Sequence, residues 1–203
     1  MMQKLLVRIV VGSIRQGRKS LAVAEYLHGR ARERAELTAE LVDLADYPLP
    51  LLEERLEKTN ALPAAQELFQ QLGDADGLLI VTPEYKGGVP GVLKNAFDYF
   101  PPDFLRHKPV GVCTVSAGGF GGINCLAQLR LLILAVGGLP IPGFLAVSKV
   151  NQVAAGGTRA LEDAFAGKLD VFFEELIWYG EAMARQRERH EPRPQESLAQ
   201  AIV

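Results

Sequence analysis

The chain has 203 residues, 48% of them hydrophobic and 23% charged, with a formal net charge of −2. That length fits one domain with a sizeable core. The near-neutral charge gives no electrostatic case for nucleic acid or a membrane surface, and no apolar run is long enough to span a bilayer. Cys113 and Cys125 stand outside any CxxC pair, which predicts a reducing, cytoplasmic setting. His28, His107 and His190 lack metal-ligand spacing, so no metal is expected. The opening MMQKLLVRIVVGS has a brief apolar run, broken by Arg8 and without a small-residue cleavage site, and reads as a strand rather than a signal peptide.

Apolar runs alternate with amphipathic stretches along the whole chain. Leu5 to Val11 is a strand. Residues 18–35 follow as a helix with Leu21, Ala24, Leu27 and Ala31 on one face. Leu37 to Val42 is the second strand, and 44–60 is irregular because Pro48 and Pro50 forbid regular structure. Pro63 opens a helix to about Leu72, a position that tolerates proline. Gly77 to Thr82 is the third strand, Val89 to Phe100 a helix with Leu93, Ala96, Phe97 and Phe100 inward, and Val110 to Ser116 the fourth strand. Gly122 to Val136 is a helix stopped by Gly137-Gly138. Ile141 to Val147 is the fifth strand, and Thr158 to about Arg189 one long final helix. Residues 1–190 are expected to form one domain and 191–203 a loosely ordered tail. Five strand–helix repeats predict an α/β fold, a five-stranded parallel sheet with helices on both faces. A dinucleotide-binding Rossmann arrangement shares this alternation, and periodicity does not give strand order.

Ligands of such sheets bind beyond the carboxyl ends of the strands, where three loops have unusual composition. The first, residues 12–20, offers helix-start amides, the hydroxyls of Ser13 and Ser20, and the cations of Arg15, Arg18 and Lys19, a set suited to a phosphate. It nearly matches the nucleotide-binding pattern GxxxxGK[ST], but Arg18 shifts Lys19 one place late, and the third strand lacks a terminal acid for magnesium. A solvated basic turn is the plain alternative. The second loop, from Thr82 through Pro90, is stiffened by its prolines and has bare amides at Gly87-Gly88, with Tyr85 available to pack on a flat heterocycle. A structural turn accounts for its composition equally well. The third, Ser116 to Gly122, has four glycines in five positions, which permits close approach of a ligand. Ser116 is not the nucleophile of a G-x-S-x-G elbow, since Thr114 occupies the first glycine position.

GSIRQGR, PEYKGGVPGVLKNAFDY and SAGGFGG, in this order, resemble the NADPH-dependent FMN reductase family of flavodoxin-like proteins, over about residues 4–150. Azoreductase-like, quinone-reductase-like and chromate-reductase-like enzymes belong to that family. The resemblance implies a flavodoxin-like three-layer sandwich and FMN, with NADPH or NADH as electron donor. It places Ser13, Arg15, Arg18, Lys19 and Ser20 at the phosphate, and Pro83, Glu84, Tyr85, Lys86 and Gly87 beside the isoalloxazine ring. Ser116, Gly118 and Gly119 would line the ring's other edge. Three residues depart from the family pattern: Lys86 replaces asparagine, Gly88 stands where serine is common, and Arg18 where serine is often found. A lysine pointing at the ring would raise the flavin potential, and one pointing to solvent would not.

The flavin carries the chemistry in such proteins, so no catalytic acid or base is expected. The implied reaction is NAD(P)H oxidation by a ping-pong mechanism, with a quinone, azo compound, metal oxyanion or flavin as acceptor. An electron carrier or a flavin-binding module without NAD(P)H oxidation is the alternative. The 122–136 helix is apolar nearly all round. With the family's habit of pairing through it, this predicts a homodimer or homotetramer.

Overall fold

The computed structural model describes residues 4–53 and 62–189. The expected tail at 191–203 and the end of the irregular 44–60 segment lie outside them. In chain order the elements are β1 Leu5–Val11, α1 Lys19–Arg32, β2 Leu37–Asp43, a single 3-10 turn Leu44–Asp46, α2 Pro63–Gly73, β3 Gly77–Pro83, α3 Gly91–Tyr99, β4 Pro109–Val115, α4 Ile123–Ala135, β5 Leu139–Val147, α5 Val150–Ala155, α6 Gly157–Phe165 and α7 Leu169–Arg189.

The strands pair in parallel in the order β2-β1-β3-β4-β5. Every residue of β3 and β4 is buried, which is why the sequence shows them as unbroken apolar runs. Arg8, the one charged residue of β1, is ion-paired with Glu40, its register partner on β2. One apolar cluster joins the sheet to α1, α6 and α7 through Val23, Leu27, Leu161, Phe172 and Phe173. A second joins the other face to α2, α3 and α4 through Leu68, Leu72, Leu93, Phe97, Leu129 and Ile133. Burial of that kind is the main stabilising term, about 25 cal/mol per Å² of apolar surface.

Three sequence expectations need correction. The final helix is not continuous from Thr158: Ala166 leaves the helical region (ψ 126°) and Gly167 takes φ +71°, separating α6 from α7. A short helix, α5, precedes them. The fifth strand begins at Leu139 and so contains Pro140 as well as Pro142. Both prolines are tolerated because β5 is an edge. Side chains take up three backbone groups in the first half of β5: Arg130 of α4 donates to the carbonyls of Ile141 and Pro142, and Glu175 of α7 accepts from the Gly143 N–H.

The chain leaves β1 toward β2 on one side and returns to β3 on the other, so the loops after β1 and β3 diverge at the carboxyl edge. That divergence opens the crevice in which such sheets bind ligands.

Candidate functional site

Ser13 is fully buried at the end of β1, and its Oγ accepts from the Arg15 N–H at 3.4 Å. The loop turns through Gly17 at φ +69° and enters α1. That helix begins without a side-chain cap and without an acid in its first turn, so its leading N–H groups and the positive end of its dipole are left to an incoming anion. Ser20, the second residue of α1, is 1% exposed, and its Oγ is without a hydrogen-bond partner among the described residues. A buried hydroxyl in that state costs free energy unless a ligand satisfies it. Arg15 and Lys19 are exposed beside it. Arg18 is engaged elsewhere: its guanidinium is paired with Asp43 at the end of β2. Asp43 also accepts the Ala45 N–H at 3.0 Å. The loop therefore fits a phosphomonoester, with Arg18 bracing it from behind.

The loop after β3 is fastened at its root by the Glu84 N–H, which donates to Val115 O at 2.9 Å. Tyr85 and Gly88 then exchange two backbone hydrogen bonds, at 3.0 and 3.1 Å. Between them Lys86 and Gly87 both sit at positive φ, 53° and 76°, as a tight two-residue hairpin turn requires. The Gly88 amide, expected bare, is thus consumed by the turn, and the amides at its tip belong to Lys86 and Gly87. Lys86 is exposed. Pro83 is buried and Tyr85 half-buried. The Tyr85 hydroxyl reaches Ser13 Oγ.

Glu84 has a role that its place in the loop did not announce. Its Oε2 accepts from the N–H groups of Asn124 and Cys125 at 3.1 and 3.0 Å. It therefore caps α4 from another element and satisfies that helix's positive end. The α4 start is thus filled by the chain's own carboxylate, whereas the α1 start is left open beside the buried, unpartnered Ser20 hydroxyl.

The loop after β4 is held by Ser116 Oγ donating to Gly118 O at 3.1 Å and by the Lys149 and Val150 N–H groups on Gly118 O and Ser116 O. Thr114 Oγ1 donates to Gly121 O at 2.6 Å. Gly118 and Gly119 are exposed, with open space where a Cβ would stand, and Phe120 is 89% exposed. His28 contacts Ala39 O instead of Ser116. Burial, aided by the Glu84 charge, pushes the Cys125 thiol up to about 12, and burial alone raises Cys113 further. Neither serine nor cysteine is set up as a nucleophile. Among the described residues there is no cluster of potential metal ligands.

The structure thus brings together Ser13, Arg15, Lys19, Ser20 and Tyr85, sets Ser116, Gly118 and Gly119 on the neighbouring strand end, and turns Arg18 and the Glu84 carboxylate to supporting partners. Sequence reasoning missed Asp43, Thr114 and Gln128. Asp43 could have been found from strand order, since it is the register partner of Val11.

Residues 5–152 match the family described as NADPH-dependent FMN reductase. The chain belongs to this family. A quinone reductase of Escherichia coli (strain K12) is 34% identical over 191 residues, 91% of this chain and 98% of that protein. An FMN-dependent NADPH-azoreductase of Staphylococcus haemolyticus is 29% identical over 178 residues, 83% and 92% of the two chains. In fold, the chain is similar to the flavoenzyme NAD(P)H:(acceptor) oxidoreductase FerB of Paracoccus denitrificans, with a TM-score of 0.62, 22% identity, and coverage of 84% of this chain and 98% of that one. The flavodoxin-like expectation is met. As a member of the FMN reductase family the chain is an FMN-dependent oxidoreductase using a nicotinamide nucleotide, and the open α1 start with its unsatisfied Ser20 hydroxyl suits the phosphate of that cofactor.

Proposed function

We propose that this protein oxidises NADPH or NADH and passes the electrons to a small acceptor of the quinone, azo, metal-oxyanion or flavin class, donor and acceptor taking turns at one open face. The carrying observation is the uncapped start of α1, with Ser20 Oγ buried and unpartnered, tied through Ser13 to the loop bearing Tyr85. FMN, when bound, supplies the centre that accepts and gives up hydride. The protein's part is to hold it. Arg15, Lys19, Ser13 and Ser20 grip the phosphate. Tyr85 and the Lys86 and Gly87 amides border the ring on one side, Ser116, Gly118 and Gly119 on the other. Pro83 stiffens the approach.

The relatives named for quinone and azo reduction favour those two acceptor classes. The outward face of α4 supports pairing of subunits: Ile123, Leu131 and Leu134 are 49%, 68% and 56% exposed, and the Arg130 between them directs its guanidinium to the Ile141 and Pro142 carbonyls of β5. We take the assembly to be a homodimer or homotetramer. The cytoplasm is its proposed location, consistent with two free, buried cysteines and with the described helices, none of which is long and apolar enough to cross a membrane.

The test is the visible spectrum of the purified protein before and after anaerobic NADPH. The expected result is a yellow protein that bleaches and regains its colour on adding a quinone, with parallel double-reciprocal lines at steady state. A yellow protein that NADPH leaves unbleached would instead be an electron carrier, and a colourless one that fails to take up FMN a module without flavin. Intersecting lines would remove the shared-face mechanism.

A further inference from the structure

Gln128 projects from α4, an element that the ring-facing residues do not include. Its side-chain amide engages the second loop twice: Nε2 donates to Gly87 O at 3.0 Å, and Oε1 accepts from the Val89 N–H at 3.4 Å. A Cβ at Gly88 would stand 3.0 Å from that same Oε1, so the glycine is what lets the amide close over the turn. The opposite end of the loop is fixed to α4 by the Glu84 carboxylate on the Asn124 and Cys125 N–H groups. The turn between these two fastenings contains Lys86, a non-glycine residue at φ +53°, a backbone state that costs free energy and relaxes unless its surroundings hold it.

We propose that Gln128 is a positioning residue for FMN: its amide clamps the tip of the Tyr85–Gly88 turn to α4 and so fixes the direction of the Lys86 and Gly87 amides that border the ring. Because Nε2 holds Gly87 O, the Gly87–Gly88 peptide does not rotate without breaking that bond. The Lys86 and Gly87 amides are thereby presented in one orientation before the cofactor arrives, and preorganisation of this kind appears as affinity. Gly88, whose missing Cβ leaves room for Oε1, is the counterpart of Gln128. The proposal rests on the ring lying against this loop.

The experiment compares wild-type, Gln128→Ala, Gly88→Ala and the double variant, each as apoprotein titrated with FMN by flavin fluorescence quenching. The visible circular dichroism of the bound flavin and the melting temperature of the apoprotein are recorded alongside. Gln128→Ala is expected to weaken FMN about three- to tenfold, the worth of one or two net hydrogen bonds. It should alter the flavin dichroism and leave apoprotein melting unchanged, because the amide is exposed. Gly88→Ala, by displacing Oε1, should act in the same direction, and the double variant should be no weaker than Gln128→Ala alone. Wild-type affinity and dichroism in Gln128→Ala, additive effects in the double variant, or a melting temperature that falls in step with affinity would each overturn the clamp while leaving the FMN assignment intact. A wild-type apoprotein that does not bind FMN would overturn both.

Discussion

The hydroxyls of Ser13 and Tyr85, 72 residues apart in the chain, lie 2.8 Å from one another. This contact joins the loop proposed to receive the phosphate to the loop proposed to border the ring, across the divergence between β1 and β3. Tyr85→Phe keeps the aromatic surface and removes the bridge. We expect FMN affinity to fall about two- to tenfold, one net hydrogen bond, as read by titration of the apoprotein.

Arg15 and Arg18, three residues apart, are predicted to behave differently. Arg15 is exposed beside the open helix start, so Arg15→Ala should cost about 1.5–3 kcal/mol of FMN binding by loss of a charge-assisted bond, with little change in apoprotein melting. Arg18 is paired with Asp43, and its loss leaves that carboxylate short of a partner. Arg18→Ala should therefore lower the stability of the apoprotein by about 1–3 kcal/mol in urea unfolding. Equal effects of the two substitutions on FMN affinity, with no stability difference, would contradict the division of labour.

Lys86 holds φ +53°, a backbone state in which lysine is strained. Asparagine visits the left-handed region at lower cost than lysine. Lys86→Asn is expected to stabilise the apoprotein by up to about 1 kcal/mol, measured as an upward shift of the unfolding midpoint. A midpoint that drops would show that the lysine side chain makes a compensating contact.

Lys108 supplies a pH-dependent term far from the site. Its Nζ donates to the carbonyls of Leu72 and Ala75 at 3.3 and 2.8 Å and to that of Gly73, closing the end of α2. Burial, then the neighbouring Arg187, lowers its pKa from 10.5 to about 8. Between about 8 and 10.5 the unfolded chain holds this proton more firmly than the folded chain, so this group's contribution to stability rises with pH through that window. Lys108→Met should abolish that rise, seen as a flatter plot of urea midpoint against pH than the wild-type plot. It should also lower stability near neutral pH, because three carbonyls lose their donor.

The strands were readable because burial on both faces leaves little but apolar residues, as in GLLIVT of β3. The start of β5 was hidden by Pro140 and Pro142, which mark loops unless the strand is known to be an edge. The separation of α6 from α7 was hidden because Leu161, Phe165, Leu169 and Phe172 remain buried across the break, so the apolar stripe continues where the backbone does not. The phosphate loop was legible as composition, but the diversion of Arg18 was not, since it depends on β2 lying beside β1. The outward turn of Glu84 and the reach of Gln128 were equally hidden, because an exposed polar residue on a helix carries no periodic signal and its partner is chosen by tertiary placement.

The edge strand β5 carries one more lesson. With two prolines in it, and with Arg130 and Glu175 engaging the Ile141 and Pro142 carbonyls and the Gly143 amide, the first half of this strand is poorly suited to pairing with an approaching strand. Fibre-like stacking of sheets and exchange of strands between copies are discouraged along this border. The proposed homodimer or homotetramer would on this ground be built through the side chains of helices, where geometry is closed and finite.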